Sequence, residues 1–470
     1  MIDKIKFGTD GWRAVIGDTY TVRNIARVAE GTAKWVKKQS DEPCIVIGHD
    51  CRFNGKLFME TAIKVYLHHG IKVYFAEGFV STPMVSMGTK QYSGNIGVVL
   101  TASHNPASYG GYKLKSNFGG PLLPDKIQEV EDLIPDTVDD EILLSDLDRA
   151  IEDKRLIKVD LETTYIDAVK ANFDIEAIKK SGLRLAFDAM YGSGQNVLKP
   201  MFPDMAYLHC EHNPGFMGQA PEPIAKNLKE LEAFIKKDGN IDAALATDGD
   251  ADRIGLYGKE GEFIDSHHII LLLIHYMVKY KGMSGKVVTA FSCSPKIAKI
   301  CEHYDLEHQT VKIGFKHIAG IMIDEDVLLG GEESGGIATK GHIPERDGIW
   351  MGMIIWEFMA KSGKSLESLI DEVYEIVGAF KFERSDLHIN EELKQEIIAN
   401  CEKNVYASFG KYNVEKVETI DGFKFFLPND SWVMIRPSGT EPVLRVYAEA
   451  IDLDEVRRIL SATEATLLKK

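Results

Sequence analysis

The alternation of helical and strand-like stretches along the chain predicts an α/β protein. Residues 22–38 carry apolar side chains at helical spacing, and residues 56–68 repeat that pattern. Short apolar runs at residues 44–48, 72–75 and 95–100 are typical of buried strands. Helices that alternate with strands in this way predict a largely parallel sheet.

The same pattern restarts twice further along the chain. The predicted elements of these two repeats are helices at residues 165–179, 228–236, 268–280 and 295–303, and strands at residues 183–187, 241–246, 286–291 and 327–329. The repetition predicts three related α/β units, since each repeat supplies strands and helices of its own.

The last part of the chain has a different pattern. Strand-like runs follow one another directly at residues 423–427, 432–435 and 444–448, and a helix is predicted from Leu453. Consecutive strands followed by a helix are typical of an α+β domain.

These changes of pattern predict four domains, and 470 residues are too many for one hydrophobic core. We expect three related α/β domains with mixed, largely parallel sheets, then a C-terminal α+β domain, all around a central cleft. The predicted domains are residues 1–155, 156–262, 263–380 and 381–470. The acidic stretch at residues 136–148 and the polar region around Arg384 are predicted linkers.

Composition narrows the class of protein. A net charge of −16 argues against a nucleic-acid-binding surface, which would need a basic face. No apolar segment is long enough to span a membrane, and the first residues lack the apolar core of a signal peptide. Six scattered cysteines without a CxxC pair are typical of reduced thiols. We therefore expect a cytoplasmic protein with no nucleic-acid or membrane partner.

The stretch TASHNPASYGGYK, residues 101–113, follows a predicted strand. Pro106 cannot donate a backbone hydrogen bond, and Asn105 before it is disfavoured in a helix. We therefore expect Ser103 and His104 on a loop at a strand end, where α/β proteins place reactive groups. A turn filled with polar residues is the alternative interpretation.

The stretch TDGDADR places Asp248, Asp250 and Asp252 directly after another predicted strand. Three carboxylates this close repel one another unless a cation neutralises them, and ligation by oxygen alone suits Mg²⁺. An EF-hand is excluded, because Arg253 stands where that loop needs glycine and Lys259 where it needs glutamate. A solvated acidic turn remains the alternative.

The stretch RPSGTEP follows the predicted strand at residues 432–435 and has the composition of an anion-binding loop. Arg436 offers a planar fork of donors for phosphate, and Ser438 and Thr440 offer hydroxyls. Gly439 allows backbone N–H groups to approach an anion closely. A plain β-turn is the alternative.

The stretch GEESGG carries Glu332 and Ser334 between glycines. A carboxylate and a hydroxyl at this spacing suit a polyol such as a sugar, and a flexible turn is the alternative. Each of the four polar loops follows a predicted strand, and ligands bind outside the carboxyl ends of strands in such sheets. The four loops therefore predict one shared cleft.

With FGTDGWR, TASHNP, DGDADR, GEESGG and RPSGTEP in this order, the chain resembles the α-D-phosphohexomutase family. The resemblance covers nearly the whole chain and implies four domains around a central cleft. It implies interconversion of hexose 1-phosphate and hexose 6-phosphate through a phosphoserine and a bisphosphorylated sugar. It also implies sugar phosphates as partners, Mg²⁺ as the cofactor and a hexose 1,6-bisphosphate as activator.

The resemblance further implies roles for single residues. Ser103 matches the phosphorylated serine, whose phosphate would complete the metal site formed by Asp248, Asp250 and Asp252. The expected catalytic residues beside Ser103 are His104, Lys113, Arg13 and Lys316. The expected substrate-binding residues are Arg253, Glu332, Ser334, Arg436, Ser438, Gly439 and Thr440.

The sequence says least about which hexose the protein binds. Some family members carry histidine at the last position of the sugar loop, where this chain has Gly336. The glycine at this position, Lys316 in KIGFKHI and the stretch HIPERDGIW together favour glucose as the substrate. A phosphomannomutase or a phosphoglucosamine mutase is the alternative. Lys316 is the candidate general base in place of the histidine.

Two further functions are compatible with the same loops, and the sequence leaves the oligomeric state open. In a phosphoserine-dependent phosphatase, water would take the phosphoryl group. An inactive module would bind the sugar phosphate without turning it over. The intact serine and three intact aspartates argue against the inactive module, and the sugar loop argues against the phosphatase.

Overall fold

The chain forms two compact units in the computed structural model, which describes residues 4–437 and 443–469. The first unit contains the residues up to Val288 and Gly314–Ile370. The second contains Thr289–Ile313 and the residues from Asp371 onward. The helices of the described residues are too short or too polar to cross a lipid bilayer.

Helices cover the sheets of both units, and several of them begin at a capping side chain. The N-terminal caps of the helices at Val22, Ser266 and Leu453 are side chains of Thr21, Asp265 and Asp452, which accept backbone N–H bonds of the first turn. The helices are α1 (Val22–Gln39), α2 (Gly55–His68), α3 (Thr82–Gln91), α4 (Pro124–Glu131), α5 (Leu147–Glu152), α6 (Leu161–Asn172), α7 (Ile175–Lys180), α8 (Lys229–Asp238), α9 (Ser266–His275), α10 (Lys296–His303), α11 (Phe315–Asp324), α12 (Gly348–Ser362), α13 (Leu366–Val377), α14 (Glu391–Glu402) and α15 (Leu453–Leu467).

The first sheet has six strands in the order β1-β5-β4-β2-β3-β6. They are β1 (Trp12–Val15), β2 (Cys44–His49), β3 (Lys72–Phe79), β4 (Ile96–Leu100), β5 (Tyr109–Ser116) and β6 (Leu156–Val159). β4, β2, β3 and β6 are parallel, whereas β5 and β1 run antiparallel at one edge. The side chains of α1 and α2 pack on this sheet in one continuous hydrophobic core.

The second sheet has five strands in the order β11-β10-β9-β7-β8. They are β7 (Leu185–Asp188), β8 (Ala206–Leu208), β9 (Ala243–Thr247), β10 (Ile254–Gly258) and β11 (Phe263–Ile264). β8, β7 and β9 are parallel, and β10 and β11 are antiparallel. The hairpin between β9 and β10 holds the three aspartates, so the turn that carries them is anchored by two fully buried strands.

Four further strands lie between the second sheet and the C-terminal sheet along the chain. They are β12 (Lys286–Ala290), β13 (His308–Val311), β14 (Val327–Gly331) and β15 (Ile337–Thr339). In the first unit β14 and β15 pair antiparallel, and the sugar loop is the turn that joins them.

The second unit contains an antiparallel sheet in the order β16-β22-β21-β20-β19. Its strands and a small separate hairpin are β16 (Lys381–His388), β17 (Ser408–Phe409), β18 (Tyr412–Asn413), β19 (Lys416–Glu418), β20 (Phe423–Leu427), β21 (Ser431–Pro437) and β22 (Val443–Ala450). α14 and α15 contribute buried residues to its core. The mixed sheets of the first unit and this α+β arrangement confirm the predicted fold class.

Four details of the sequence-based prediction are wrong. The stretch at residues 101–113 is a loop only as far as Ser108, because β5 begins at Tyr109. Its two glycines look like turn residues, but Gly111 is required by close packing: a Cβ there would lie 2.1 Å from the carbonyl oxygen of Thr101. The polar region around Arg384 is no linker, since it forms β16 and pairs along its whole length with β22.

The third wrong detail is the single helix predicted at residues 165–179. It is two helices, α6 and α7, because the side chain of Asp174 accepts the N–H of Ala177 and starts a new helix. The acidic stretch at residues 136–148 also differs from a plain linker. It contains a short 3₁₀ helix at Asp140–Leu144 and the start of α5, both within the first unit.

Candidate active site

Ser103 lies on the short loop that leads from β4 into β5. Its side chain is buried, and its φ of +51° places the backbone in the left-handed region. The N–H of Ser103 donates to Thr101 Oγ1 at 2.9 Å. The hydroxyl of Ser103 donates to Asp248 Oδ2 at 2.7 Å. The loop therefore directs a nucleophilic hydroxyl at the acidic turn of the second sheet.

Arg52 holds this loop in place. Its guanidinium donates at 2.6 to 3.1 Å to four carbonyl oxygens, those of Ser103, Asn105, Pro106 and Tyr109. Asp50 accepts from Arg52 Nε at 3.1 Å and from Thr101 Oγ1 at 2.5 Å. The ring of Phe216 covers the guanidinium, 5.0 Å from its central carbon. These contacts compensate for the unfavourable backbone angle of Ser103, because residues in the left-handed region persist only where the surroundings hold them.

Asp248, Asp250 and Asp252 lie together in the turn between β9 and β10. All three are fully buried, and one carboxylate oxygen of each lies within 4.8 Å of the others. Asp248 Oδ1 accepts the N–H groups of Asp252 at 2.9 Å and of Arg253 at 3.1 Å, which closes the turn. Ala251 has a φ of +57°, so the turn is as tight as the serine loop that faces it.

Lys113 lies between these carboxylates and Asp10. Its Nζ is 2.8 Å from Asp250 Oδ2, 3.0 Å from Asp252 Oδ2 and 2.7 Å from Asp10 Oδ2. Burial would lower the pKa of Lys113, but the three carboxylates, led by Asp10, raise it instead. Burial would raise the pKa of Asp250, but the Lys113 ammonium holds it below its usual range. Burial and the charges of Asp250 and Asp252 raise the pKa of Asp248 well above its usual range.

The three aspartates fit a divalent cation. The Oδ1 atoms of Asp250 and Asp252 are buried and have no hydrogen-bond partner among the residues that the structure describes. Carboxylate oxygens are the ligands that Mg²⁺ prefers, and a cation would supply the missing partner of both atoms. Burial and the neighbouring charges of Asp250 and Asp252 raise the pKa of Asp248, as expected for carboxylates crowded together without a cation.

The carboxylate of Asp10 lies near three cationic side chains from different parts of the first unit. Besides Lys113, its Oδ2 is 2.6 Å from Arg346 Nη2 and 3.7 Å from Arg13 Nη2. Arg346 Nη2 is also 2.7 Å from Asp252 Oδ2, so Arg346 links Asp10 with the acidic turn. Burial would raise the pKa of Asp10, but Arg346 and Lys113 hold it well below its usual range. Asp10 therefore carries a negative charge that keeps several cations close to Ser103.

Two more predicted residues lie beside Ser103. Arg13 Nη1 donates to the side chain of Asn105 at 2.6 Å, and His104 Nδ1 is 3.2 Å from Ser103 Oγ. Burial lowers the pKa of His104 well below its usual range, and the charges of Arg253 and Arg13 lower it further. His104 is therefore a neutral imidazole at physiological pH.

Glu332 and Ser334 lie in the tight turn between β14 and β15. The N–H of Glu332 donates to the carbonyl oxygen of Gly336 at 3.0 Å. Glu332 is buried, accepts the N–H of Gly314 at 3.0 Å, and has Arg346 Nη1 at 3.9 Å. Burial raises the pKa of Glu332 to about 7. Glu332 can therefore accept or release a proton near neutral pH.

Three of the four predicted loops meet in the first unit. The serine loop reaches the acidic turn through Ser103 and Asp248. The sugar loop reaches the end of the same turn, because Ile254 N–H donates to the carbonyl oxygen of Gly335 at 3.1 Å. Their association brings the Ser103 hydroxyl, the acidic turn and polar groups of the sugar loop into one candidate site.

Lys316 lies in the first turn of α11. It is half-buried and lines a surface groove of about 400 Å³ together with residues at the start of α4, among them Leu123 and Asp125. Its backbone is close to the sugar loop, since Gly314, two residues before it, donates to Glu332. Its role as a general base stays a prediction.

Arg436 lies at the end of β21 in the second unit. Its Nε is 3.4 Å from Asp421 Oδ1, and its Nη2 is 3.4 Å from Asp421 Oδ2. The guanidinium is therefore oriented by a carboxylate of the same unit. Ser438, Gly439 and Thr440 lie outside the described residues, so the phosphate loop and the cleft shared by all four loops stay predictions.

Comparison with known families covers almost the whole chain. Four domain families described as phosphoglucomutase/phosphomannomutase domains I, II, III and the C-terminal domain match residues 4–139, 163–261, 265–377 and 387–465. The chain belongs to the α-D-phosphohexomutase family. It is therefore a phosphohexomutase, and the family depends on Mg²⁺, in agreement with the acidic turn.

Individual relatives differ in the sugar for which they are named. A phosphoglucomutase/phosphomannomutase of Thermococcus kodakarensis is 29% identical, and the alignment covers 97% of this chain and 96% of that protein. A phosphoglucosamine/phosphogalactosamine mutase of Sulfurisphaera tokodaii is 30% identical over 95% of each chain. The crystal structure of a Thermus thermophilus protein assigned as a phosphomannomutase is 30% identical, covers 100% of both chains and has a TM-score of 0.88.

Sequence reasoning missed four residues of this phosphohexomutase site. Asp10 and Arg346 stand in the stretches FGTDGWR and HIPERDGIW, which were noticed without any role for these two side chains. Asp50 and Arg52 follow the strand now assigned as β2. The signal that could have found all four is a charged residue next to a strand end or a glycine turn, because such residues face the ligand side of α/β sheets.

We expect Arg52→Lys to lower kcat of the phosphohexomutase reaction about 100-fold, because a shift of Ser103 by about 1 Å would have an effect of that size. A lysine keeps the charge but cannot donate to four carbonyl oxygens at once, so the serine loop would shift. Steady-state kinetics and thermal melting measure the effect. Arg23→Lys is the matched control, because Arg23 is 83% exposed and pairs only loosely with Asp140. A wild-type kcat for Arg52→Lys would contradict the role.

We expect Mg²⁺ to raise the melting temperature of the wild-type protein, because a ligand that binds only the folded state stabilises it by about 2.7 kcal/mol at 100 times its Kd. Asp250→Asn should lose most of this shift, and EDTA should abolish activity in a manner that added Mg²⁺ reverses. Asp204→Asn, on an exposed turn, is the control. An equal Mg²⁺ shift in Asp250→Asn and the wild type would exclude this carboxylate as a ligand.

Proposed function

We propose that Ser103 is the phosphoryl carrier with which this phosphohexomutase interconverts hexose 1-phosphate and hexose 6-phosphate. The observation that carries the proposal is the buried Ser103 hydroxyl, 2.7 Å from an aspartate of the cation-binding turn. His104 Nδ1 is 3.2 Å from Ser103 Oγ, Lys113 pairs with Asp250 of the same turn, and Arg13 donates to Asn105 of the serine loop. Such fixed donors and charges stabilise a developing phosphoryl charge.

In the proposed reaction a hydroxyl of the sugar phosphate attacks the phosphorus of the phosphorylated Ser103. The bond between phosphorus and Ser103 Oγ breaks, a bond to the sugar oxygen forms, and the sugar is bisphosphorylated. The hydroxyl proton passes to a basic side chain. The bisphosphate then turns over, and Ser103 attacks its other phosphate, so that serine is phosphorylated again and the isomeric monophosphate leaves.

Each group at the site has a distinct task in this scheme. Asp248, Asp250 and Asp252 would hold Mg²⁺, which when bound neutralises phosphoryl charge as a Lewis acid. Lys113 and Arg13 contribute fixed positive charge, and neutral His104 can donate or accept a hydrogen bond at Ser103 Oγ. Arg253 lies where the acidic turn meets the sugar loop, so it can contact the substrate.

The sugar would be bound by the loop between β14 and β15. Glu332 and Ser334 can bond sugar hydroxyls, and we assign Arg436, Ser438, Gly439 and Thr440 to the phosphate that does not react. A hexose 1,6-bisphosphate would serve as activator, because it phosphorylates a serine that has lost its phosphoryl group. We place the reaction in the cytoplasm, with sugar phosphates as its small-molecule partners.

Glucose is the substrate that we propose first, on the strength of the sugar-loop resemblance. The names of the relatives support mannose and glucosamine about as well, since one is a phosphoglucomutase/phosphomannomutase and another a phosphoglucosamine/phosphogalactosamine mutase. A sugar phosphatase that uses the same serine differs only in the acceptor, which would be water.

We expect purified protein to carry a phosphoryl group on Ser103 and to isomerise glucose 1-phosphate to glucose 6-phosphate. Peptide mass spectrometry locates the phosphoryl group, and a coupled assay with glucose, mannose and glucosamine 1-phosphates, with and without glucose 1,6-bisphosphate, ranks the substrates. Ser103→Ala should lose both properties, whereas Ser368→Ala, an exposed serine on α13, should keep them. Net phosphate release would favour the phosphatase, and full activity of Ser103→Ala would refute the carrier.

We expect Lys316→Met to lower kcat much more than it raises KM and to remove an ionisation from the pH–rate profile, if Lys316 takes the hydroxyl proton. Lys312→Met, an exposed lysine four residues earlier, is the control. An ionisation near pH 7 that survives in Lys316→Met would assign the proton to Glu332 instead, because burial raises the pKa of that carboxyl to about 7. A change in KM alone would make Lys316 a binding residue.

A further inference from the structure

Gly336 is kept small by one neighbour. A Cβ on Gly336 would lie 2.5 Å from Cδ and 3.2 Å from Cγ of Arg346, well inside van der Waals contact. The φ of Gly336 is outside the left-handed range, in contrast to the +89° of Gly335. The backbone at position 336 would therefore accept a side chain, and only the space taken by Arg346 prevents it.

Arg346 extends from the sugar loop to the acidic turn. The residue is 3% exposed. Its Nη2 reaches Asp10 at 2.6 Å and Asp252 at 2.7 Å, while its Nη1 remains 3.9 Å from Glu332. Its Nε is buried without a hydrogen-bond partner among the described residues. Within the described part of the chain the guanidinium therefore has donors that make no hydrogen bond, although its Nε lies 3.8 Å from Glu345 Oε1. These donors lie where the proposed sugar and phosphoryl sites adjoin.

These contacts leave the guanidinium suited to a phosphate. A guanidinium binds phosphate oxygens through a planar fork of N–H donors, and such charge-assisted bonds are about twice as strong as neutral ones. Asp10 and Asp252 hold one side of the fork, and the side toward Glu332 carries the weakly used donors. Burial would lower the pKa of Arg346, but four neighbouring carboxylates, led by Asp10 and Asp252, hold it well above its usual range, so the guanidinium stays charged.

We propose that Gly336 and Arg346 form one coupled element, in which the missing side chain at position 336 makes room for Arg346 to bind the phosphoryl group passing between Ser103 and the sugar. The inference rests on the proposed function. Arg346 in its present position leaves no room for a side chain at position 336, such as the histidine that some relatives carry there. The element thus distinguishes this site from one in which the sugar loop itself supplies the functional side chain.

A double-mutant cycle tests the coupling. We expect Arg346→Ala to lower kcat about 100-fold with a smaller change in KM, because the lost contact is made mainly with the transferring group. We expect Gly336→Ala to lower kcat about 30-fold in the wild type, but less than about 3-fold in the Arg346→Ala background, since its harm is the displacement of Arg346. Gly78→Ala, an exposed position with no atom near the added methyl group, is the matched control.

Two further measurements separate a chemical role from a structural one. Thermal melting shows whether each variant is folded. If Gly336→Ala is not folded, the variants Arg346→Lys and Arg346→Ala still test whether the guanidinium fork is needed. Guanidinium chloride at non-denaturing concentration should raise kcat of Arg346→Ala and leave Arg52→Lys unchanged. An additive cycle without such rescue would overturn the inference while the mutase assignment stands.

The same cycle can be measured by binding, which distinguishes failure of the inference from failure of the proposed function. Glucose 1,6-bisphosphate is the probe, titrated calorimetrically into Ser103→Ala proteins that carry each variant. Non-additive losses of affinity would support the coupled element even if the wild type released phosphate instead of isomerising sugars. Equal affinities in all variants would refute it.

Discussion

The first unit depends on the neutralisation of four carboxylates, three buried and one partly buried, that lie around two buried cations. The four are Asp10, Asp248, Asp250 and Asp252, and the cations are Lys113 and Arg346. Removing a charge from water costs several kcal/mol unless partners compensate for it, so the loss of any one of these residues leaves uncompensated charge on its partners. The balance is incomplete in the acidic turn, where Asp250 and Asp252 each keep a buried Oδ1 atom without a hydrogen-bond partner among the described residues.

This balance connects parts of the chain that are far apart in sequence. Lys113 comes from the edge strand β5, Asp250 from the hairpin of the second sheet, and Arg346 precedes α12. Because the cations and the carboxylates come from different sheets, the electrostatic pairing both assembles the unit and forms the site. Arg52 adds a second constraint, since its hydrogen bonds hold Ser103 at a backbone angle that the chain would otherwise avoid.

Periodic stretches of sequence predicted elements well, and glycine and capping residues caused the errors. The helix predicted at residues 22–38 is α1, Val22–Gln39, because its apolar stripe faces one core along its whole length. β5 was missed because Gly110 and Gly111 resemble a turn, although packing against Tyr20 and Thr101 is what requires them. The break at Asp174 was missed because a capping carboxylate does not interrupt an apolar stripe.

The sequence by itself determined the family and the α/β and α+β architecture, and it predicted that Ser103 and the three aspartates lie at strand ends. These follow from local patterns, since a polar cluster directly after a strand must lie at the edge where ligands bind. The tertiary structure alone decided that Asp10 collects three cations, that Arg52 braces the serine loop, and that Arg346 fills the space beside Gly336. The reason is physical: ion pairs between residues distant in sequence depend on the packing of sheets and loops, and no periodicity records them.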